Sequence, residues 1–386
     1  MATGIALYIH IPFCLKRCSY CSFISFANRS EDIESYIEAV IREINQRVSN
    51  QRIKSVYIGG GTPTLLSVTH IECLLKSLDR LYSRFGNIEI SLEANPGTVD
   101  GGYLKALKNT GVNRLSIGVQ SLNDIELHTL GRSHYASDGT KAVECARNAG
   151  FDNINVDLIY GIPGQDLSSW KRTLEDVICL APEHLSLYAL SLEPGTDLQK
   201  QVESGVLSLP DPDLSADQYE LAEDLLARQD YRHYEISNWA KPRCECRHNL
   251  TYWNHEEYIG VGVGACSYQG GHRFSNSDSL DRYLASVLDQ GMTAIESDEA
   301  ISPELAASEA AILSLRLDVG INIERYNRDY NTDILSMYNR QIEELKGYGL
   351  LEYDEVDIKL TKKGKLLGNE VFWRFLPEDN KQAGGC

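Results

Sequence analysis

The chain has no excess of positive charge: 37 Lys and Arg stand against 55 Asp and Glu, a formal net charge of −18. That excludes bulk binding to nucleic acid or to an anionic membrane surface, although not a local basic patch. It has no run near the ~18 apolar residues that a membrane-spanning helix needs. The stretch from Met1 to Phe13 has neither the basic segment nor the apolar core of a secretory signal. The expectation is a cytoplasmic protein with reduced thiols. Internal repeats and low-complexity tracts are also missing, and 42% hydrophobic with 24% charged residues is a globular composition. The terminal Gly-Gly-Cys does not fit the prenylation pattern, which needs the cysteine fourth from the end. At 386 residues, one large domain plus a small one is expected.

What the first half does contain is an alternation of short β-rich runs with amphipathic stretches. The strands expected are Ala6–Ile11, Ser55–Ile58, Ile88–Leu92, Arg114–Val119, Ile154–Leu158 and His184–Ala189. Between them, Ile33, Ile37, Val40, Ile41, Ile44 and Val48 recur at helical spacing after a Ser30 cap, and 70–81, 103–108, 141–148 and 169–180 follow the same pattern. Strands alternating with helices predict a parallel sheet with right-handed crossovers, as a partial (β/α) barrel or a doubly wound sheet. Polar, Gly-rich punctuation follows most strands, so the unusual residues gather at the C-terminal strand ends, where such folds place their sites. From Pro303 on, two helices, two short β runs at 350–353 and 357–360 and a final helix over 363–375 predict a winged-helix-like unit. Residues 301–386 hold 11 basic and 15 acidic side chains, a net of −4, which favours a packing role over DNA binding.

The strongest chemical signal is Cys14-x-x-x-Cys18-x-x-Cys21, directly after the first strand. In a reducing compartment, clustered cysteines are metal or redox ligands rather than disulfides. A structural zinc site closes with four ligands, and a cubane cluster ordinarily takes four cysteines. Three cysteines leave one iron open to a non-protein ligand; the competing readings are a zinc site completed by His10, or three free thiols. Cys73, Cys145 and Cys179 fall in helical patterns as small buried hydrophobes, Cys266 is undecided, and Cys244-x-Cys246-x-His248 is an ambiguous soft-ligand set.

This cysteine spacing resembles that of the radical SAM superfamily, and Leu7-Tyr-Ile-His-Ile-Pro-Phe-Cys14 resembles its HemN-like branch, which holds oxygen-independent coproporphyrinogen III dehydrogenases and the HemW haem chaperones. The likeness continues through Gly59-Gly-Gly-Thr-Pro-Thr, Glu93-Ala-Asn-Pro-Gly, Ser116-Ile-Gly-Val-Gln-Ser, Leu130-Gly-Arg-Ser-His and Asn155-Val-Asp-Leu-Ile-Tyr-Gly-Ile-Pro-Gly-Gln. It implies a [4Fe-4S] cluster on Cys14, Cys18 and Cys21. S-adenosylmethionine (SAM) would bind the open iron and be cleaved to a 5′-deoxyadenosyl radical by one electron from an outside donor. It further implies that Gly60, Gly61 and Thr62 approach the methionyl group of SAM, that Glu93 binds its ribose or amino group, and that Gln120, Arg132 and Asp157 line the second half of the pocket, with Tyr8 and Tyr20 close by. Asp157 lies in an apolar strand and needs a partner, for which Arg132 is the candidate.

Within the branch, the dehydrogenase pattern has a cysteine two positions after the third ligand, where this chain has Phe23, and a long N-terminal extension, where this chain has thirteen residues before Cys14. His248-Asn249-Leu-Thr-Tyr252-Trp253 resembles the His-Asn-x-x-Tyr-Trp motif of the HemW side. The resemblance makes these four residues candidates for a haem site; physics alone makes His248 and Asn249 loop hydrogen bonders and Tyr252 and Trp253 core. The organisation expected is therefore 1–240 as a partial (β/α)6 radical SAM barrel, 241–300 as a connecting, haem-proximal segment, and 301–386 as the winged-helix-like domain. The function implied is a haem chaperone passing haem to an acceptor protein, unnamed and open to being membrane-associated. The alternatives are a coproporphyrinogen III dehydrogenase and, more weakly, a radical SAM enzyme on an unrelated substrate. The family also implies a dimer.

Overall fold

The structure is a computed structural model that describes residues 4–48, 51–82, 88–209 and 211–377; Cys386 lies outside them. All six expected strands form: β1 Ile5–Ile11, β2 Ile53–Gly60, β3 Glu89–Ala94, β4 Arg114–Gln120, β5 Ile154–Tyr160 and β6 His184–Ala189. They pair in parallel in chain order. The crossovers are α1 Ile33–Arg47, α2 Val68–Tyr82, α3 Gly101–Asn109, α4 Asp124–Thr129 with α5 Ala136–Asn148, and α6 Leu167–Cys179. Helix starts follow local capping chemistry: Asp100 accepts from Tyr103 N–H and Asp166 from Ser169 N–H. Ser30 does not cap α1. It opens a single 3₁₀ turn, and α1 begins at Ile33 behind Asp32.

The sheet has two chemically different faces, because side chains alternate along a strand. Outward, Val56, Ile58, Leu92, Leu115, Ile117, Val156 and Leu185 are buried in one large core under the helices. Inward, β2 to β6 carry Ser55, Tyr57, Glu93, Ser116, Asn155, Asp157, His184 and Ser186, tied by hydrogen bonds such as Tyr57–Glu93, Ser116–Asp157 and Asn155–His184. A one-sided polar pattern of this kind is what a sheet curved around a polar interior requires.

After β6 come α7 Asp197–Glu203, α8 Pro212–Ala227 and two short strands, β7 Arg232–Glu235 and β8 Asn238–Ala240, which extend the sheet antiparallel beyond β6. The segment expected to be a connector instead supplies helix α9 Arg247–Trp253 and four strands on the other side of β1: β9 Tyr258–Val261, β10 Cys266–Gln269, β11 His272–Asn276 and β12 Ile295–Ala300. The order is β12-β11-β10-β9-β1-β2-β3-β4-β5-β6-β8-β7, an open twelve-stranded sheet, so the barrel is partial and does not close.

The C-terminal unit has its own core. Helix α10 Leu280–Leu284 still packs in the main core; the unit itself runs α11 Pro303–Leu315, β13 Ile321–Asn322, α12 Ile323–Tyr330, α13 Ile334–Met337, α14 Asn339–Gly347, β14 Leu351–Tyr353, β15 Asp357–Leu360, α15 Lys362–Leu366 and α16 Gly368–Phe375. The three strands pair as β13-β15-β14, which gives the expected wing. Of the three helices expected here, the first forms unbroken as α11, and the other two are each broken, at Tyr338 and at Leu367, where the backbone leaves the helical region.

This unit touches the open sheet on both sides of its gap. Beside β7, Ile236 N–H donates to Arg316 O at 3.0 Å, and Lys365 Nζ reaches His233 Nδ1 at 3.1 Å and Glu223 Oε1 at 3.7 Å. Near the opposite edge, Arg273 of β11 pairs with Glu309 of α11 at 2.5 Å, and Tyr330 OH meets His255 Nδ1 at 2.8 Å.

Candidate functional site

A cavity of about 450 Å³ opens at the C-terminal ends of the strands. Its lining includes Cys14, Cys18, Cys21, Tyr20, Gly60, Gly61 and Thr62, together with Glu93, Gln120, Arg132 and Asp157. Every proposed cluster and SAM residue except Tyr8 thus lines one space. Tyr8 stands one register over from the wall, its OH 3.0 Å from His10 Nδ1 and its ring stacked on Tyr57 at 6.2 Å. Tyr57, which sequence reasoning missed, is on the wall in its place. Its signal was available: it sits opposite Tyr8 in the β1–β2 register, on the same face.

The cysteine loop is pinned from three sides. Phe26 N–H donates to Pro12 O at 2.7 Å, His10 Nε2 meets Ile24 O at 2.9 Å, and Ser19 N–H donates to Leu130 O at 3.0 Å. Within the loop, Arg17 Nε donates to Cys21 O at 3.1 Å. Thr62 Oγ1 lies 3.7 Å from Cys14 Sγ and Arg132 donates to Cys18 Sγ at 3.5 Å. Burial pushes the Cys14 and Cys21 thiols above the ordinary range, so they become thiolates only with help from positive charge such as iron supplies. No three His, Cys, Asp or Glu side chains among the described residues converge on a single-ion site. A cubane distributes its cysteines over separate irons, so it needs a shared wall rather than a point, and a shared wall is what the three cysteines form.

The glycine run packs against that loop. A Cβ on Gly61 would lie 2.7 Å from Phe13 O and 3.0 Å from Cys14 Sγ, and one on Gly60, whose φ is +117°, would lie 2.6 Å from the His10 ring. Only glycine fits both places. Gly60 N–H donates to Glu93 Oε2 at 2.9 Å and Tyr57 OH donates to Oε1 at 2.9 Å. Burial raises the Glu93 carboxyl to about 7, with Asp157 adding to the rise. Gln120 closes β4 in the left-handed region, at φ 67°, a conformation disfavoured for a side chain with a Cβ.

Arg132 is not the partner of Asp157. Its guanidinium donates to Gly118 O at 2.8 Å and to Cys18, leaving Nε with no partner. Asp157 accepts instead from Ser116 Oγ at 2.9 Å and Asn155 Nδ2 at 2.8 Å. Burial still holds its carboxyl above the usual range. The residues present fit a cluster and a SAM molecule: three thiols lining one cavity, a glycine cradle that a methyl group would fill, and a buried, unpartnered Nε–H on Arg132 beside Cys18.

The His-Asn-x-x-Tyr-Trp segment lies at the other end of the strands. Helix α9 plugs the N-terminal mouth of the barrel, with Glu89 accepting from Arg247 N–H at 3.0 Å and His248 N–H at 3.1 Å. His248 is 1% exposed. Its Nδ1 meets Ser55 Oγ at 3.1 Å and its Nε2 meets Tyr252 OH at 2.8 Å, so neither ring nitrogen is left for iron. Burial lowers its pKa to about 3. Asn249 presents its backbone N–H to Cys246, whose buried thiol bonds Glu89, and Trp253 lies under the Arg316 guanidinium at 4.4 Å. In this arrangement the four residues do packing and bonding work, and Cys244 and Cys246 form no metal site with His248.

The radical SAM superfamily model matches residues 8–177, and the HemN C-terminal domain model matches 301–367. Among curated relatives, the heme chaperone HemW of Lactococcus lactis is 37% identical over 96% of this chain and 97% of its own length. Radical S-adenosyl methionine domain-containing protein 1 of Mus musculus, a mitochondrial protein, is 34% identical over 98% of this chain and 88% of its own length. Among solved structures, coproporphyrinogen III oxidase (HemN) of Escherichia coli, a radical SAM enzyme, superposes with a TM-score of 0.83 at 26% identity, over 96% of this chain and 90% of that one. The expected cluster and SAM cofactors, the partial barrel and the C-terminal unit are all family features, and the chain belongs to the HemW family of radical SAM proteins.

Proposed function

We propose that this protein is a haem chaperone, which binds haem and passes it to an acceptor protein. The observation that carries the reading is the near end-to-end similarity to heme chaperones, at 36–37% identity over 96% of the chain in two bacterial relatives. Cys14, Cys18 and Cys21 hold the cluster. Gly60, Gly61 and Thr62 cradle the methionyl end of SAM, Glu93 meets its ammonium or ribose, and Gln120, Arg132 and Asp157 hold the rest, with Tyr20 and Tyr57 walling the space. Bound together, the two cofactors supply one-electron cleavage of a sulfonium. The protein's own contribution is charge and shape: Arg132 offsets the negative charge of the Cys18 sulfur, and the inner polar face holds two buried carboxylates ready for a cationic ligand.

The second reading, a coproporphyrinogen III oxidase, draws on the HemN superposition. Phe23 in place of a further cysteine counts against it. The deciding experiment uses anaerobically reconstituted protein, offered haem in one cell and coproporphyrinogen III with a reductant in another. Stoichiometric haem binding without decarboxylation is expected; porphyrinogen turnover with 5′-deoxyadenosine release would overturn the chaperone reading.

A further inference from the structure

If haem is the cargo, the structure leaves a question, because the histidine that the motif offers is sealed inside the barrel floor. The opposite end of the barrel has a different character. Leu15 is 63% exposed, Phe23 is 65% exposed and Tyr188 is 42% exposed, and all three line the mouth of the cavity. Leu15 and Phe23 ride on the cysteine loop after β1, and Tyr188 is on β6, so they mark the two ends of the parallel arc and the opening spans between them. Holding a metal needs none of these side chains, and large apolar groups left in water around a cavity mark a ligand or partner site.

Charge narrows the ligand. Lys16 and Arg17 are exposed beside Leu15 and Phe23 on the same wall, in a chain whose net charge is −18. Arg17 is held in place through Nε and Cys21 O, which leaves its terminal nitrogens for a ligand. Two cations beside an aromatic and aliphatic rim complement a flat apolar molecule with carboxylates on one edge. A tetrapyrrole with two propionates has that shape and charge. No histidine lines the cavity, so such a seat would hold the macrocycle by its faces and its acid edge, with no imidazole bond to iron from the cavity wall.

We propose that Leu15, Phe23 and Tyr188, with Lys16 and Arg17 beside them, form the seat of the porphyrin cargo at the mouth of the cavity. The proposal rests on the haem-chaperone reading and assigns its binding site.

The test titrates haem, and separately metal-free protoporphyrin IX, into reconstituted full-length protein. Both bind at one per chain, with affinities within a few-fold of each other, because the seat does not depend on iron. Leu15→Ala with Phe23→Ala weakens both by about tenfold or more, the loss expected from truncating a buried aromatic contact. Phe23→Trp retains binding. Lys16→Gln with Arg17→Gln weakens both and removes the salt dependence of binding. Tyr188→Ala, away from the cysteine loop, weakens both without change in iron content, which guards against loop damage being read as lost contact. Unchanged affinity in both the Leu15→Ala with Phe23→Ala variant and the Tyr188→Ala variant, or haem binding without protoporphyrin binding, overturns the seat. If the unmodified protein binds neither molecule, the chaperone reading itself falls.

Discussion

Glu93 owes its chemistry to position. On the inner face at the end of β3 it is removed from bulk solvent, and two hydrogen bonds to its oxygens do not offset that loss, so its carboxyl titrates at about 7 rather than in the ordinary range. The proposed SAM site needs the ionised form beside a ligand ammonium. SAM affinity is therefore expected to rise as pH climbs through 7 and to fall towards pH 6. Glu93→Gln removes that dependence and costs about tenfold at pH 8, as loss of a charged hydrogen bond does; calorimetric SAM titrations at the two pH values check both. The same shift has a stability sign. A carboxyl whose folded value lies above its unfolded one destabilises the fold progressively from about pH 4.5 to about 7, and a bound cation relieves the cost. That Glu93 belonged to the candidate site was legible only through the motif resemblance, since its place after an apolar run fits a solvated loop acid equally well. Its proton affinity was not, because that depends on Asp157 and Tyr57, which come from other strands. The wrong partner for Asp157 has the same origin: Arg132 is the obvious cation in sequence, but Ser116 and Asn155 satisfy the carboxylate through register, which no local pattern encodes.

At the scale of elements, the parallel core was readable because each strand is a short apolar run and each helix a clear stripe. The outlying strands were not. Arg232–Glu235 and Cys266–Gln269 are four residues each and mostly polar, and they exist because a neighbouring edge offers hydrogen bonds, not because their own composition asks for a strand. Helix α9 is the sharpest case. Seven residues are too few to be stable alone, and its seat on Glu89 is a tertiary one. Glu89→Ala would free the N–H groups of Arg247 and His248 and leave the buried Arg114 without its neighbouring carboxylate. The expected cost is about 3 kcal/mol of stability, within the range for breaking a buried charged network, read as a lowered melting temperature of the unreconstituted protein. A variant that melts like the parent would show that α9 does not depend on that carboxylate.

At the scale of the molecule, the winged-helix-like unit is bound to both flanks of an open sheet. Lys365 is the joint on one flank, anchored to Asp318 of its own unit and reaching His233 and Glu223 across the seam from a position 12% exposed. Lys365→Met removes this joint at a cost of about 1–2 kcal/mol, intermediate between surface and fully buried pairs, and limited proteolysis should then cut first between the unit and the sheet. Glu223 is held below the ordinary carboxylate range, first by its hydrogen bond to His233, so its contribution is present above pH 4.5 and is lost as pH falls through its folded value. The two-flank attachment has a consequence for how such a protein diversifies. A closed barrel fixes its bore by strand number and stagger. Here the bore is set by a clasp, since the distance between the free edges depends on a few side chains of an appended unit. Substitutions at Glu309, Arg273 or Lys365 can retune that opening while the cysteine wall, hundreds of residues from Glu309 and Lys365 in sequence, stays untouched. Cargo size and radical chemistry can then drift independently in one scaffold.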